Sequence, residues 1–121
     1  MRADEDERPR VGETGRYLGV RPSVDILVDA DGLVEPEAGG MSAVPSPMTN
    51  LAPHRLPREH GGTGGDPVFE LDTDNLPDEL RHRPDPSNPG EHVFIEPSRR
   101  MAFEEYERAV HATRVLWRIV R

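Results

Sequence analysis

Cysteine and lysine are both absent from these 121 residues. Without cysteine there is no disulfide, no thiolate ligand for zinc and no thiol nucleophile, and nothing marks the redox compartment. Without lysine all 15 basic side chains are arginine, a bias that a GC-rich genome explains most simply. Aromatic residues are scarce: three Phe, two Tyr and one Trp, in a chain only 34% hydrophobic. A single domain of this size buries a modest core. No apolar run approaches the ~18 residues of a membrane-spanning helix. Asp4-Glu5-Asp6-Glu7 is the opposite of the basic start of a signal peptide. The expectation is a cytoplasmic protein without membrane contact, open to delivery into a target cell by a route that uses no signal peptide.

What is abundant is glycine, proline and acid. Gly and Pro (11 and 13 residues) make up about a fifth of the chain, short of the share that marks a low-complexity chain. Long loops around a small core follow. The net charge of −8 argues against binding a phosphate backbone, so nucleic acid is not expected as a partner. The charge is uneven. Residues 25–37 and 66–79 carry carboxylates and no base, whereas 98–121 carry six Arg against three Glu. Such polarity suits a protein partner with a complementary surface, and equally a set of solvated loops and a solvated helix face.

Along the chain, residues 1–13 are polar and charged and read as a flexible N-terminal arm before one domain, 14–121. Val24-Asp25-Ile26-Leu27-Val28 is β-branched and apolar and predicts a strand; Asp31-Gly32 is a turn signal, with Leu33-Val34 returning as a short second strand. Residues 35–66 hold paired glycines and five prolines, a long loop. Val68–Leu71 predicts a third strand, and Leu76–Leu80 one helical turn. After the turn-rich 84–90, His92–Glu96 is the clearest strand. Ser98 is a fair N-cap for a final helix over 98–121, whose apolar face is Phe103, Tyr106, Val110, Thr113, Trp117 and Val120.

Read singly, the motifs are weak. Asp29-Ala30-Asp31-Gly32 and Asp72-Thr73-Asp74-Asn75 lack the Gly and bidentate Glu of a calcium loop and read as acidic turns. His54 and His60 show no zinc spacing, and no metal site is expected. Gly61-Gly62-Thr63-Gly64-Gly65 precedes no helix pattern and has no Lys, so it is neither a Rossmann fingerprint nor a P-loop. Gly39-Gly40-Met41-Ser42 is a turn, or a place where backbone approaches a ligand beside the Ser42 hydroxyl. His92 is a hydrogen-bonded structural residue or a functional one.

In combination the stretches say more. Gly15-Arg16-Tyr17-Leu18, Arg21, Asp25-Ile26-Leu27-Val28, Asp31-Gly32-Leu33, Pro36 and Gly39-Gly40-Met41-Ser42 come first; His92-Val93-Phe94-Ile95-Glu96-Pro97 and Met101 come much later. In that order, over roughly residues 15–105, the chain resembles a family of small cytotoxic effectors exported by bacterial type VI secretion systems. The resemblance implies an α+β fold: small, loop-rich and ADP-ribosyltransferase-like, with short antiparallel strands and a C-terminal helix. It implies an NAD-dependent toxin that transfers ADP-ribose to an intracellular target, with NAD as cofactor and a small helical immunity protein or antitoxin as partner. Position by position, Arg21 matches an Arg before the Asp-Ile-Val strand, with its spacing changed by one residue. Ser42 matches the Ser of a Gly-Gly-Thr-Ser stretch whose Thr is Met41 here, and His92 matches a His opening the late strand.

Such transfer breaks the nicotinamide–ribose bond through an oxocarbenium-like state. The implied roles are Arg21 on a phosphate of NAD, Ser42 on ribose or the nicotinamide amide, Gly39 and Gly40 for close approach, and His92 orienting the ribose. Ser42 and His92 are thus the catalytic candidates. Glu96 and Glu104 are candidate carboxylates by position alone. The competing reading is a non-catalytic protein-interaction module derived from that fold.

Overall fold

The strongest strand of the sequence is also the centre of the structure. A computed structural model describes residues 4–5, 8–9, 19–45, 58, 61–64, 68–88 and 90–119. Its strands are β1 (Asp4–Glu5), β2 (Arg8–Pro9), β3 (Leu33–Val34), β4 (Met41–Ala43), β5 (Phe69–Glu70), β6 (Leu80–Pro84), β7 (Val93–Pro97), β8 (Met101–Ala102) and β9 (Arg118–Ile119), with one helix, α1 (Phe103–Ala112). The β-branched and aromatic residues of β7 place it between β4 and β6 in an antiparallel three-stranded sheet. Ser42 lies opposite Phe94, and Arg81 and Arg83 lie opposite Glu96 and Phe94. Three two-stranded ribbons, β1–β2, β3–β8 and β5–β9, complete the pairing among the described residues. Pro97 sits at the end of its ladder opposite Leu80, where a missing N–H does little harm.

The core forms where α1 and the β3–β8 ribbon meet one face of this sheet. Val20, Ile26, Val34, Met41, Leu80, Ile95, Met101, Tyr106, Ala109 and Val110 are buried, with Phe103 and Trp117 packed against them. Tyr106 is fully buried. Its hydroxyl accepts the Met41 N–H at 3.0 Å and donates to the Ile95 carbonyl. The helix thus ties β4 to β7 through one phenol, whose pKa burial pushes up.

Three elements differ from the sequence expectation. Residues 24–28 are no regular strand. The chain turns at Ser23, at φ +62, with the Asp25 N–H on the Arg21 carbonyl at 2.9 Å and the Ser23 N–H on the Ile26 carbonyl at 2.7 Å. Ile26 is buried in the core and makes single bridges to Pro22 and Gly39, and Val28 packs against the core half-buried, while Val24 and Leu27 are 67% and 70% exposed. The Asp31-Gly32 turn does form, closed by Asp29, whose Oδ1 accepts the Asp31 and Leu33 N–H groups at 2.9 Å each. Yet Leu33-Val34 takes its ladder from Met101-Ala102.

The second difference is the helical turn expected at 76–80. A 3-10 turn forms earlier, at Thr73–Asn75, capped by the Asp72 side chain on the Asp74 N–H. The third concerns the last helix. Ser98 is engaged by Glu79 and Asp78 carbonyls, and residues 101–102 belong to β8, so α1 starts only at Phe103. Ala102 offers no side-chain cap. The Gly32 carbonyl takes the Phe103 N–H at 3.0 Å, and Glu104 and Glu105 suit the dipole of the first turn. The helix tightens into a 3-10 turn at Thr113–Leu116, where the Thr113 hydroxyl bonds back to the Val110 carbonyl and accepts Trp117 Nε1 at 3.0 Å. The predicted apolar face is otherwise right for Tyr106, Val110 and Thr113, which are buried; Val120 lies outside the described residues.

Replacing Tyr106 by Phe leaves the ring but deprives a buried amide and a buried carbonyl of their partner. The expected cost is about 1–3 kcal/mol, read as a lower denaturant midpoint with an unchanged slope. An unchanged midpoint would show that the phenol does not join the strands.

Candidate functional site

In an antiparallel sheet, residues directly opposite each other project from the same face. Opposite the Met41–Ile95 core face, β4 therefore offers Ser42, β7 offers Phe94 and Glu96, and β6 offers Arg81 and Arg83. His92 stands one residue before β7 and keeps this alternation. Its backbone carbonyl accepts the Asp85 N–H at 3.0 Å, which extends the β6–β7 ladder. The His92 ring meets the Phe94 ring edge-on, with centroids 4.7 Å apart. The Arg83 guanidinium lies over the same ring, 5.0 Å from its centroid. Ser42 thus stands opposite Phe94 in the ladder, and the His92 ring packs on Phe94.

His92 is held by a carboxylate. Nδ1 lies 2.8 Å from Asp85 Oδ2, and the Asp85 side chain also takes the Ser87 N–H at 2.9 Å. The hydrogen bond to His92, and next that to Ser87, lower the Asp85 pKa. With Nδ1 engaged, Nε2 is the ring nitrogen left for another partner.

Glu96 is fully buried on β7. Its Oε2 takes Arg81 Nε at 2.6 Å; its Oε1 takes Arg83 Nε at 2.7 Å and the Glu37 N–H at 3.2 Å. Glu37 holds φ +68, a left-handed conformation that is strained for a residue with a side chain. Of the two candidate carboxylates, Glu96 is therefore enclosed by donors, whereas Glu104 is exposed on α1.

Gly39 and Gly40 sit where strands come close. Both have positive φ, +109 and +152. A Cβ on Gly39 would overlap the Asp25 carbonyl oxygen, and one on Gly40 would come within 2.6 Å of the Ile95 carbonyl oxygen. The close approach these glycines give in the structure is to backbone. The Gly40 N–H donates to Asp25 at 2.8 Å, so the Arg21–Asp25 turn lies at the entry to β4. Arg21 is paired with Asp25 through Nε at 3.2 Å and one terminal nitrogen at 3.1 Å, half-exposed. Arg16, Tyr17 and Leu18 lie outside the described residues, as do His54 and His60. Among the described residues no three His, Asp or Glu side chains group as a metal site.

Sequence reasoning missed Arg81, Arg83, Phe94 and Asp85. The signal for the arginines was present as Arg81-His82-Arg83, a period-2 pair just before a turn and opposite a strand carrying Glu96. It becomes readable only once β6 is recognised as a strand.

A small α+β chain with this helix-backed sheet fits the ADP-ribosyltransferase-like class that the sequence suggested. A family model described as the Tse2 ADP-ribosyltransferase toxin matches residues 1–117, and the chain belongs to that family. No curated protein and no solved structure matches it significantly. The family's activity makes this an ADP-ribosyltransferase toxin, a class whose substrate is NAD, and nothing favours the non-catalytic alternative. Among the described residues no helix is long and apolar enough to cross a membrane.

Two outcomes test this geometry apart from ligand. Gly40→Ala is expected to destabilise the fold by more than about 1 kcal/mol, since strain and overlap with β7 combine; an unchanged melting temperature would reopen the case for a glycine kept for ligand approach alone. For Asp85, the lowered folded pKa means stability present above the unfolded value of about 3.9 and lost as pH falls through the folded value. Urea midpoints measured from pH 6 to 2 should therefore fall less steeply in Asp85→Asn than in the parent chain. Parallel curves would mean that the His92 and Ser87 bonds do not favour the ionised form.

Proposed function

We propose that the chain binds NAD on the Ser42–Phe94–His92 face of the sheet and transfers its ADP-ribose to a target inside a recipient cell. The observation that carries this reading is one phenylalanine with Ser42 opposite it in the ladder and the His92 ring packed on it, in a member of an ADP-ribosyltransferase toxin family. The exposed Ser42 hydroxyl donates to or accepts from the ribose or the nicotinamide amide. His92, its Nδ1 fixed by Asp85, turns Nε2 to the ribose. Phe94 supplies an aromatic wall that keeps water from one side. Arg21 offers its remaining guanidinium N–H groups to a phosphate beside Gly39 and Gly40.

Delivery by a type VI secretion system, and restraint by a small helical immunity protein, belong to the same proposal. The family match and the chain's uneven charge support them.

Calorimetry on the 121-residue chain should find NAD binding, with Ser42→Ala and His92→Ala each raising Kd about tenfold, ~1.4 kcal/mol. Both variants should also lose toxicity on expression in bacteria while keeping the parent's circular dichroism. A folded parent chain that ignores NAD, or two variants that bind and kill as well as the parent, would overturn the reading.

A further inference from the structure

The face that carries Ser42 and His92 also carries a pair of arginines whose arrangement the proposed contacts leave unused. Arg81 and Arg83 both reach Glu96, and both do so through Nε. Glu96 has no solvent exposure, while the two arginine side chains are 46% and 20% exposed. A buried carboxylate that accepts one N–H from each guanidinium fixes the plane of both forks. Among the described residues no acceptor takes the terminal nitrogens of either. Arg83 is fixed a second time by the Phe94 ring beneath it. Asp85, the other carboxylate near enough to feel Arg83, is engaged by His92 and the Ser87 amide.

Two guanidiniums held by one buried carboxylate leave an excess of positive charge and two sets of outward N–H donors, two residues apart on one strand. That donor set suits an anion with several oxygens in a row better than a single carboxylate. We propose that Arg81 and Arg83 form a diphosphate-binding subsite, with Glu96 as the positioning residue that aims them. The inference rests on the NAD reading for its natural occupant, the diphosphate linking the two nucleosides. It moves the main anion contact from Arg21, already paired with Asp25, to β6. It also gives Glu96 a task other than that of a catalytic carboxylate.

The test uses inorganic pyrophosphate and NAD on the full chain, followed through the arginine Nε–H resonances. Pyrophosphate should shift the Arg81 and Arg83 signals saturably. Arg83→Gln alone leaves Glu96 half-partnered and endangers folding, so the double variant Arg83→Gln/Glu96→Gln, which removes both charges, is measured beside it. The double variant should keep the parent's circular dichroism and raise Kd at least tenfold for both pyrophosphate and NAD. Nicotinamide riboside, which has no diphosphate, should perturb parent and double variant alike. A parent chain that does not bind pyrophosphate overturns the subsite whatever NAD does. So does a folded double variant that binds NAD as the parent does, and in that case the NAD reading survives. Pyrophosphate binding that the double variant loses, in a chain blind to NAD, supports the subsite and sinks the NAD reading instead.

Discussion

The buried carboxylate of Glu96 sets the terms for everything on the outer face of the sheet. An unpaired charge at a fully buried position would cost several kcal/mol, so the fold has to bring donors to it. It brings three, from two arginines of β6 and from the Glu37 amide. The last comes at the expense of a left-handed φ at a residue with a side chain. Loop 35–39 and strand β6 are thereby drawn onto β7 from opposite sides. A chain with so few aromatic and aliphatic residues gains specificity here from a polar cluster where a larger protein would use hydrophobic bulk.

The neighbouring residue does the same for the inner face. The Ile95 carbonyl takes the Tyr106 hydroxyl, which also serves the Met41 amide. Helix α1 is therefore bonded to the same point of β7 that Glu96 fixes from the other side. Between the two lies Gly40, whose missing Cβ lets β4 approach Ile95 and Glu96. Core and site share this one crossing of strands.

Much of the fold was legible in the sequence because its signals were local. The β-branched and aromatic residues of 93–95 gave β7, the Asp31-Gly32 pair gave a turn, and the spacing of Tyr106, Val110 and Thr113 gave the buried face of the helix. What misled was tertiary pairing. Met101 and Ala102 are drawn into a ladder with Leu33 and Val34, which delays the helix in a way that its own periodicity does not reveal. Val24 and Leu27 look like strand residues but flank a tight turn. At the site, family resemblance picked Ser42 and His92; Ser42 lies opposite Phe94 in the ladder, and the His92 ring packs on Phe94. Arg81, Arg83 and Asp85 went unseen because their significance comes from partners 13 to 15 residues away for the arginines and 7 away for Asp85.

This sharing of one crossing decides how substitutions can be interpreted. Gly39 and Gly40 lie in a stretch that resembles a ligand-binding one, yet each meets backbone where a side chain would begin. Loss of activity on changing either reports first on the packing of β4 against its neighbours. Glu96 has the same ambiguity, because removing it releases two arginines and a strained loop together. Ser42 and His92 differ. Ser42 is exposed, and the His92 ring is bonded to Asp85 and packed on Phe94 at the edge of the hairpin. Their side chains can be cut back without removing a hydrogen bond of the Glu96 cluster or of the Tyr106 bridge. The chemistry proposed for this sheet therefore falls to residues at the margin of the crossing, while the crossing itself supplies the rigidity that holds them in register.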